Sequence, residues 1–481
     1  MDVTVLDRAA ALAARFLEDV ETRPVTRTVD LADLRGTLGG ALSEHGEPAV
    51  EVIEALAAGV DPALVGSAGP RYFGFVVGGS QPAALAADWL TSTWDQNAGL
   101  YALSPAAAVV EEVAAGWLVD LFGLPEGSST GFTTGATMAN FTALAAARTA
   151  VLRAVGWDVE EFGLFGAPEI DVVLGDEAHV TVFVSLQMLG LGRGRVHRVA
   201  ADEQGRMRPE ALRVTLAGLT GPTIVVAQAG NVNTGAFDPL PEIVEAVREH
   251  GGWLHVDGAF GLWAATTPEL RYLTTGLGLA DSWTTDAHKW LNVPYDSGLV
   301  FVRDAGAHHK AMTLGAAYYV ESEGGERDPY NWVAESSRRA RGFPIYAALR
   351  SMGRSGLAEM IDRCCAHARR FEELLAGRPG VTILNDVVLN QVLVRFAPPA
   401  DAPGSDADAA AATDAFTKDV IARVQADGTC WLGGTTWHGM AAMRISVSSW
   451  ATTTEDVDRS AQAILRCAAA AAEALRSATP A

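Results

Sequence analysis

The spacing of apolar residues changes along the chain and separates regions of different predicted structure. In residues 1–65 leucine, alanine and phenylalanine recur at the spacing of a helix face, and helical patterns resume over 82–122. From about 129 to 305, short apolar runs alternate with helical stretches. The first pattern predicts amphipathic helices, and the second predicts a sheet whose strands are connected by helices.

Within the central region the apolar runs are continuous rather than alternating. This continuity indicates strands that are buried on both faces, as in a mainly parallel sheet covered by helices. Polar residues follow the runs, and in such sheets a ligand binds at the carboxyl ends of the strands. We therefore expect a ligand site where the runs end. The predicted strands are 170–174, 180–184, 223–227, 253–256 and 299–302.

The end of the chain has a mixed pattern. After about residue 345 helical stretches return, and strand-like segments follow at 381–384, 391–396 and 442–447. A chain of 481 residues is too long for one small core. The pattern predicts a helical N-terminal segment at 1–70, a large α/β domain at 71–345 and a small α+β domain at 346–481.

Charge and composition narrow the class of partner. The net charge of −22 opposes binding to nucleic acid or to an anionic membrane. No apolar run is long enough to span a bilayer, and the first residues lack the pattern of a signal peptide. The four cysteines have no C-x-x-C spacing, and no H-E-x-x-H cluster occurs. We expect a cytoplasmic protein without a metal site, a disulfide framework, a membrane segment or a nucleic-acid partner.

Two residues after predicted strands have side chains that suit a carbonyl cofactor. Lys289 can form an imine if its surroundings free the amine, although a lysine after a strand is more often a surface cation. Asp257 ends a strand and is followed by the small residues Gly258 and Ala259, which allow a flat ring to approach. A carboxylate there can pair with a protonated pyridine nitrogen, and the alternative is a helix N-cap for 258–265.

Two further segments suit the same kind of cofactor. Residues 131–140 open a long helix with small and hydroxyl residues, which present backbone N–H groups to a phosphate. The segment matches neither nucleotide-binding glycine motif, so nucleotides are disfavoured. His179 can lay its imidazole over an aromatic ring. The alternatives are an ordinary capped helix start and a structural histidine.

The order of these motifs is characteristic. The chain contains Thr-Gly-Ala-Thr-Met-Ala-Asn (134–140), Glu-Ala-His (177–179), His-Val-Asp-Gly-Ala (255–259) and Asp-Ala-His-Lys-Trp (286–290). Together they resemble the group II pyridoxal-phosphate decarboxylases, which are the aromatic-amino-acid, glutamate and histidine decarboxylase relatives of fold type I. The resemblance covers most of the chain. It implies a mainly parallel seven-stranded sheet between helices and a homodimer with the active site at the interface.

The resemblance also implies a role for each motif residue toward pyridoxal 5'-phosphate (PLP). Lys289 would be the Schiff-base lysine, Asp257 the partner of the ring nitrogen, and His179 the imidazole stacked on the ring. Ala259 would touch the opposite face of the ring. The residues of the phosphate-binding turn would be Gly135, Ala136 and Thr137, with His288 beside the phosphate.

The chain departs from the family in two places. Many relatives have Gly-Thr-Thr where this chain has Gly-Asn-Val at 230–232, so a hydroxyl is missing that the Asn231 amide would replace. The mobile loop of the family carries a tyrosine that returns a proton to the substrate. Tyr330 matches it with a shift of about one residue, with Tyr318 and Tyr319 as competitors. The alternative for Tyr330 is an exposed loop aromatic.

The resemblance places several aromatic residues at the substrate pocket. Tyr72, Phe73 and Tyr101 lie in pocket segments, partly contributed by the neighbouring subunit, which favours an aromatic L-amino acid. The alternative is that they pack the dimer core. Only Arg71 is basic there, so acidic substrates are less favoured. The tryptophan-rich segment 430–437 would close a pocket or fill the small domain.

The implied reaction is α-decarboxylation to an amine and CO2 through Lys289. Oxidative decarboxylation–deamination to an aldehyde, or transamination, is an alternative on the same scaffold, and a loop tyrosine favours simple decarboxylation. A catalytically silent binding protein is a further alternative. The intact set of Lys289, Asp257 and His179 argues against it.

Overall fold

The computed structural model describes residues 3–26, 29–313, 325–400 and 409–477. The chain forms two compact units. The small unit contains Met1–Val77, His367–Leu384 and Val392–Ala481. The large unit contains Gly78–Ala366 and Asn385–Gln391. The division into three domains that the sequence suggests stays a prediction.

The helices and strands of the described residues follow each other along the whole chain. The helices are α1 (Thr4–Asp19), α2 (Leu31–Leu38), α3 (Ala49–Val60), α4 (Pro82–Trp94), α5 (Pro105–Leu121), α6 (Ala136–Ala154), α7 (Val159–Phe162), α8 (Val180–Met188), α9 (Pro209–Ala217), α10 (Leu240–His250), α11 (Ala305–Met312), α12 (Gly342–Leu375), α13 (Ala409–Asp427) and α14 (Thr454–Ser477). The strands are β1 (Ser129–Thr133), β2 (Asp171–Gly175), β3 (His197–Val199), β4 (Thr223–Gln228), β5 (Trp253–Asp257), β6 (Ser282–Asp286), β7 (Gly298–Val302), β8 (Val381–Ile383), β9 (Gln391–Phe396), β10 (Gly433–Trp437) and β11 (Met440–Ser446).

The large unit is built around a seven-stranded sheet in the order β1-β7-β6-β5-β4-β2-β3. Strand β7 is antiparallel to β1 and β6, and the other pairs are parallel. Every residue of β4, β5, β6 and β7 is buried, as expected for strands covered on both faces. The predicted α/β fold with a mainly parallel sheet is confirmed. Strands β1, β2, β4, β5 and β6 therefore end at one edge of the sheet.

Helix α6 packs across this sheet and starts at the same edge. It contacts β5, β6 and β7 and the neighbouring helix α8. Six of its buried residues have side chains of one methyl group, so the helix lies close to the strands; they are Ala136, Ala139, Ala143 and Ala145–Ala147. The burial of this face fixes the helix start, Ala136, next to the end of β6.

One predicted strand, 180–184, is a helix. Residues Val180–Met188 form α8, with His179 at the N-cap, where its side chain accepts a hydrogen bond from the Thr181 N–H. The buried residues Val182, Ser185 and Leu186 follow a helical spacing and face α6. The short apolar run predicted a strand, but the cap and the packing against α6 determine the conformation.

The small unit contains a four-stranded sheet in the order β10-β11-β9-β8. Strands β10 and β11 are antiparallel, as are β8 and β9. Helix α13 packs on β11 and on α14, and the N-terminal helix α3 packs with α1 and α2. In the described ranges, none of the helices of the two units has the length and apolarity needed to cross a membrane.

Candidate active site

Lys289 lies just after strand β6, in a mostly buried position. Its Nζ atom is 2.9 Å from Oδ2 of Asp286, the last residue of the strand, and its side chain is 17% exposed. The sequence contains only two other lysines, Lys310 and Lys418. Lys310 pairs with Asp158 and Lys418 is exposed, so Lys289 is the lysine in a site-like environment.

Asp286 joins this lysine to the start of α6. Its Oδ1 atom accepts a hydrogen bond from the Ala136 backbone N–H at 2.6 Å, while Oδ2 faces Lys289. The side chain is buried. One carboxylate thus places the amine at the beginning of the helix that the sequence predicts to hold a phosphate.

The backbone between β1 and α6 forms a narrow turn that lies close to His288 and to the start of β7. Gly135 is extended, and a Cβ atom there would lie 3.2 Å from the His288 ring. A Cβ atom on Gly298, at the start of β7, would lie 2.5 Å from the Gly135 Cα. Ser297 Oγ is buried and has no hydrogen-bond partner among the described residues. The turn therefore combines close backbone approach with an available hydroxyl, which fits a phosphate group.

His288 packs beside this turn as a neutral imidazole. Its Nδ1 atom accepts a hydrogen bond from the Ser297 N–H at 3.1 Å, and its ring stacks on Tyr295 at 4.3 Å. Burial lowers the pKa of His288, and the Asp286 carboxylate only partly offsets this effect. The proton of the neutral ring is then on Nε2, which lies 3.5 Å from Asp286 Oδ1.

Asp257 ends strand β5 as a buried carboxylate that is 3% exposed. Oδ1 accepts a hydrogen bond from the Ala259 N–H at 3.1 Å, and Oδ2 accepts one from the Asn140 side-chain amide at 3.3 Å. No salt bridge between described residues includes Asp257. A buried carboxylate without a cation is costly, so the site fits a protonated pyridine nitrogen. The alternative of a helix N-cap for 258–265 is wrong, because the segment forms a 3-10 helix only over Gly261–Thr266 and the N-cap of that helix is Phe260.

His179 and Asp257 line the same small cavity, together with Gln228 and Asp238. His179 is half-buried after β2, and its Nδ1 atom is 2.8 Å from Thr181 Oγ1. Ala259 follows Asp257 and accepts a hydrogen bond from the Asp286 N–H at 2.8 Å. The structure thus brings the ends of β2, β5 and β6 together, as the polar residues after the strands predicted.

Asn140 and His255 contribute to this site, although sequence reasoning gave them no role. The Asn140 amide reaches Asp257 Oδ2, and His255 Nε2 lies 2.8 Å from Asn140 Oδ1. Both residues stand in motifs that carry the family resemblance. By contrast, Asn231 binds Gln228 Oε1 through its amide and two backbone N–H groups through its Oδ1. These contacts do not include Asp257, and the expectation that the Asn231 amide replaces a missing hydroxyl near the phosphate or Asp257 stays a prediction.

Tyr330 and Tyr101 lie in two hydrogen-bonded turns of the large unit. The Tyr330 N–H donates to the Gly99 carbonyl at 2.9 Å, and the Tyr101 N–H donates to Asp328 Oδ1 at 2.8 Å. Tyr330 is 2% exposed within a short 3-10 helix, Pro329–Trp332, so it is not an exposed loop aromatic. The competing residues Tyr318 and Tyr319 lie outside the described residues.

Tyr72 and Phe73 pack inside the small unit. The Tyr72 ring stacks on Trp431 with centroids 4.9 Å apart, and burial raises the pKa of Tyr72. Phe73 is fully buried, with its ring edge-on to Phe371 at 5.1 Å. Trp431 of the tryptophan-rich segment thus fills the small unit next to Tyr72. The substrate contacts of Tyr72 and Phe73 stay a prediction.

Comparison with known proteins gives consistent matches along the chain. The pyridoxal-dependent decarboxylase conserved domain matches residues 32–397. An aromatic-L-amino-acid decarboxylase of Bacillus atrophaeus is 26% identical over 457 residues, which cover 94% of this chain and 92% of that protein. The enzyme of the same name from Mus musculus is 30% identical over 401 residues, 80% of this chain and 82% of that protein. A crystal structure of Oryza sativa TDC with PLP and tryptamine has the same fold, with a TM-score of 0.89 over 98% of each chain at 24% identity.

Proposed function

The chain belongs to the pyridoxal-dependent decarboxylase family, and we propose that it converts an aromatic L-amino acid to the corresponding amine and CO2. It is a PLP-dependent amino-acid decarboxylase; the proposal concerns the substrate class and the residue roles. The observation that carries the assignment is the buried Asp257 carboxylate, which has no salt-bridge partner in the described part of the chain. Its strand, β5, pairs with β6, which ends next to Lys289.

The amine, carboxylate and imidazole groups of the site fit PLP. Lys289 would hold the cofactor aldehyde, and Asp257 would pair with the ring nitrogen. His179 and Ala259 would lie against the two faces of the ring. Bound PLP supplies an acceptor for the electron pair that the departing carboxylate leaves on Cα. The residues that would hold the phosphate are Gly135, Ala136, Thr137, His288 and Ser297, because the turn is narrow and Ser297 Oγ is an available hydroxyl.

The residues of the chain have separate tasks in this reaction. The Asp257 carboxylate keeps a proton on the ring nitrogen by pairing with it. The ion pair with Asp286 orients Lys289 Nζ at the end of β6. Tyr330 is the proposed donor of the proton that replaces the carboxyl group on Cα. A phenol carries its proton at neutral pH, and the burial of Tyr330 keeps bulk water away from it.

An aromatic substrate is the proposed class. Two of the relatives with high coverage are named aromatic-L-amino-acid decarboxylases, and a third, from Oryza sativa subsp. japonica, is named tryptophan decarboxylase 1. Tyr72, Phe73 and Tyr101 are the proposed pocket residues. The Tyr101 ring is partly exposed and offers an offset-stacked or edge-on contact to an aromatic side chain, whereas Phe73 is buried and would pack behind the pocket. Arg71, which precedes Tyr72 in the sequence, is paired with Asp456 at 3.0 Å, so it is not available for an acidic substrate.

A homodimer with the active site at the interface is the proposed assembly. Several large apolar side chains of α4 and α5 are exposed in the single chain, and such patches mark protein interfaces. They are Trp89, Leu90, Trp94, Val109 and Val113. Light scattering should give twice the chain mass of 50.5 kDa. The variant Leu90→Glu should shift the protein toward the monomer, and a fully active wild-type monomer would exclude the proposed assembly.

A cytoplasmic location is also proposed. All four cysteines are buried thiols, and the pKa of Cys430 is raised to about 12 by burial. Buried thiols of this kind suit a reducing compartment. Fractionation of cells that express the tagged protein should recover it with cytoplasmic markers.

A screen of the twenty amino acids tests the reaction and the substrate together. The purified enzyme with PLP should release CO2 and an equal amount of amine from an aromatic L-amino acid. Aldehyde with ammonia and peroxide would indicate oxidative decarboxylation–deamination, and a keto acid would indicate transamination. Equal or faster release from glutamate or aspartate would contradict the aromatic assignment.

A further inference from the structure

A chain of hydrogen bonds lies beneath Asp257. The Trp253 indole N–H donates to Ser282 Oγ at 2.9 Å, and Ser282 Oγ is 2.9 Å from His255 Nδ1. His255 Nε2 is 2.8 Å from Asn140 Oδ1, and the Asn140 amide nitrogen is 3.3 Å from Asp257 Oδ2. Apart from Trp253, which is 7% exposed, the residues of the chain are almost completely buried. The chain links strands β5 and β6 and helix α6 to one carboxylate.

One assignment of donors and acceptors satisfies every bond of this chain. An indole N–H only donates, so Ser282 Oγ accepts from Trp253, and the Ser282 hydroxyl hydrogen is available to His255 Nδ1. A neutral imidazole with an accepting Nδ1 carries its proton on Nε2, which donates to Asn140 Oδ1. The amide nitrogen of Asn140 is then left to donate to Asp257. All donors point toward the carboxylate.

Two observations support this direction. Burial lowers the pKa of His255 to about 4, so the ring is neutral at physiological pH and has one N–H. The Thr284 hydroxyl also donates to Asn140 Oδ1, at 2.9 Å. Two donors at Oδ1 fix the orientation of the amide, because a flipped Asn140 would place its own N–H groups against them.

We propose that Asn140 and His255 are positioning residues that hold the Asp257 carboxylate in place for the ring nitrogen of the cofactor. Because the donor is a neutral amide rather than a cation, it fixes the carboxylate without neutralising it, and the full charge stays available to the ring nitrogen. The same amide is 3.4 Å from Thr181 Oγ1, which contacts His179 Nδ1 at 2.8 Å. Asn140 therefore also connects Asp257 to the residue proposed to stack on the ring. This inference rests on the proposed assignment of Asp257 to the ring nitrogen.

Cofactor binding to the apoprotein tests the inference without any activity measurement. The dissociation constants of PLP and of its deaza analogue, in which a carbon replaces the ring nitrogen, are measured by absorbance titration. The wild type should bind PLP more tightly than the analogue, because only PLP can pair with Asp257. Asn140→Ala should reduce this preference by about tenfold, because Asp257 loses a hydrogen bond to its charged carboxylate. The change should lie mainly in a higher dissociation constant for PLP.

His255 provides a second pair of variants. His255→Ala removes the donor to Asn140 and should lower the preference for PLP. His255→Gln places an amide N–H near the position of the imidazole Nε2 and should restore most of the preference. This pair decides the question should Asn140→Ala fail to fold. Asn385→Ala is the matched control. It removes a buried amide that binds the Thr234 and Gln391 carbonyls in the same unit, and it should leave the preference unchanged.

The outcomes separate this inference from the assignment on which it rests. Asp257→Ala should abolish the preference for PLP, and its failure to do so would exclude Asp257 as the partner of the ring nitrogen. If Asp257→Ala loses the preference but Asn140→Ala and His255→Ala keep it at the wild-type value, the inference is overturned. The assignment of Asp257 to the ring nitrogen then still holds. The inference would also be overturned if both alanine variants bound PLP and the analogue more weakly by the same factor. A purely structural role of Asn140 and His255 predicts that result.

Discussion

Lys289 and Asp286 face each other across one turn at the end of β6, with Nζ 2.9 Å from Oδ2. The other carboxylate oxygen of Asp286 accepts a hydrogen bond from the first N–H of α6. A single acidic side chain thus fixes the amine relative to the turn that would hold the phosphate. Asp286 and Lys289 are three residues apart at the end of the strand. This spacing allows the Asp286 carboxylate to contact both Lys289 Nζ and the Ala136 N–H.

Replacing Asp286 should separate these two groups. Asp286→Ala leaves Lys289 without its ion pair and Ala136 without its acceptor, and we expect PLP affinity to fall by about tenfold or more. Absorbance titration of the apoprotein measures the change. Asp158→Ala is the matched control, because it removes the aspartate of the exposed Lys310 pair and should leave PLP affinity unchanged. Wild-type affinity in Asp286→Ala would exclude the positioning role.

The narrow turn at Gly135 should not tolerate a side chain on the opposite strand. Gly298→Ala introduces a Cβ atom 2.5 Å from the Gly135 Cα, so the backbone must shift. We expect a loss of unfolding free energy of about 1–3 kcal/mol from overpacking and a weaker affinity for PLP. Urea unfolding and PLP titration measure the two effects. Gly356→Ala, whose nearest contact would be Met352 Cβ at 3.4 Å, should change neither by much.

The neutral state of His255 should appear in the pH dependence of stability. Its pKa is lowered from 6.5 to about 4 by burial, so the unfolded state takes up a proton at a higher pH than the folded state. Stability is therefore lost as the pH falls from above 6.5 toward 4. Between about pH 7.5 and about pH 5 this group should cost about 2 kcal/mol of unfolding free energy.

Urea unfolding of the apoprotein at the two pH values measures this cost. His255→Gln should have a smaller pH dependence than the wild type by that amount. Asp238 acts in the opposite sense, because burial raises its pKa to about 6 and its contribution to stability is lost as the pH rises through that value. The unfolding free energy of Asp238→Asn should therefore fall more steeply with decreasing pH than that of the wild type. An unchanged pH dependence in His255→Gln would contradict the neutral, buried state of the ring.

Tyr330 is the proposed proton donor, and its hydroxyl can be removed with little change in shape. Tyr330→Phe should lower the rate of amine formation, because the electron pair left on Cα is no longer protonated. In air-saturated buffer, dissolved O2 should then oxidise part of the substrate to aldehyde, with ammonia and peroxide as the other products. Separate quantification of amine and aldehyde tests this outcome. Tyr346→Phe, in a ring that stacks on Trp117, serves as the control. Unchanged amine formation in Tyr330→Phe would exclude Tyr330 as the donor.

The sequence predicted those parts of the fold and site that depend on local pattern. Continuous apolar runs predicted the buried parallel strands, and the polar residues after them predicted the edge where Lys289, Asp257 and His179 lie. The segment 180–184 was predicted as a strand because it belongs to the short continuous apolar runs, whereas packing on α6 makes it a helix. Long-range contacts were not predictable. Asn140 and His255 are 115 residues apart, and only the fold shows that they meet beneath Asp257.

The most direct test of the account is to find the lysine that holds PLP. Borohydride reduction of the holoenzyme converts the C=N bond to a stable amine, and peptide mass spectrometry then locates the added mass. With only three lysines in the chain, the result is unambiguous. We predict the label on the peptide that contains Lys289 and none on those with Lys310 or Lys418. A label on either of the other lysines, or an unlabelled Lys289 in protein that shows the cofactor absorbance, would contradict the central claim.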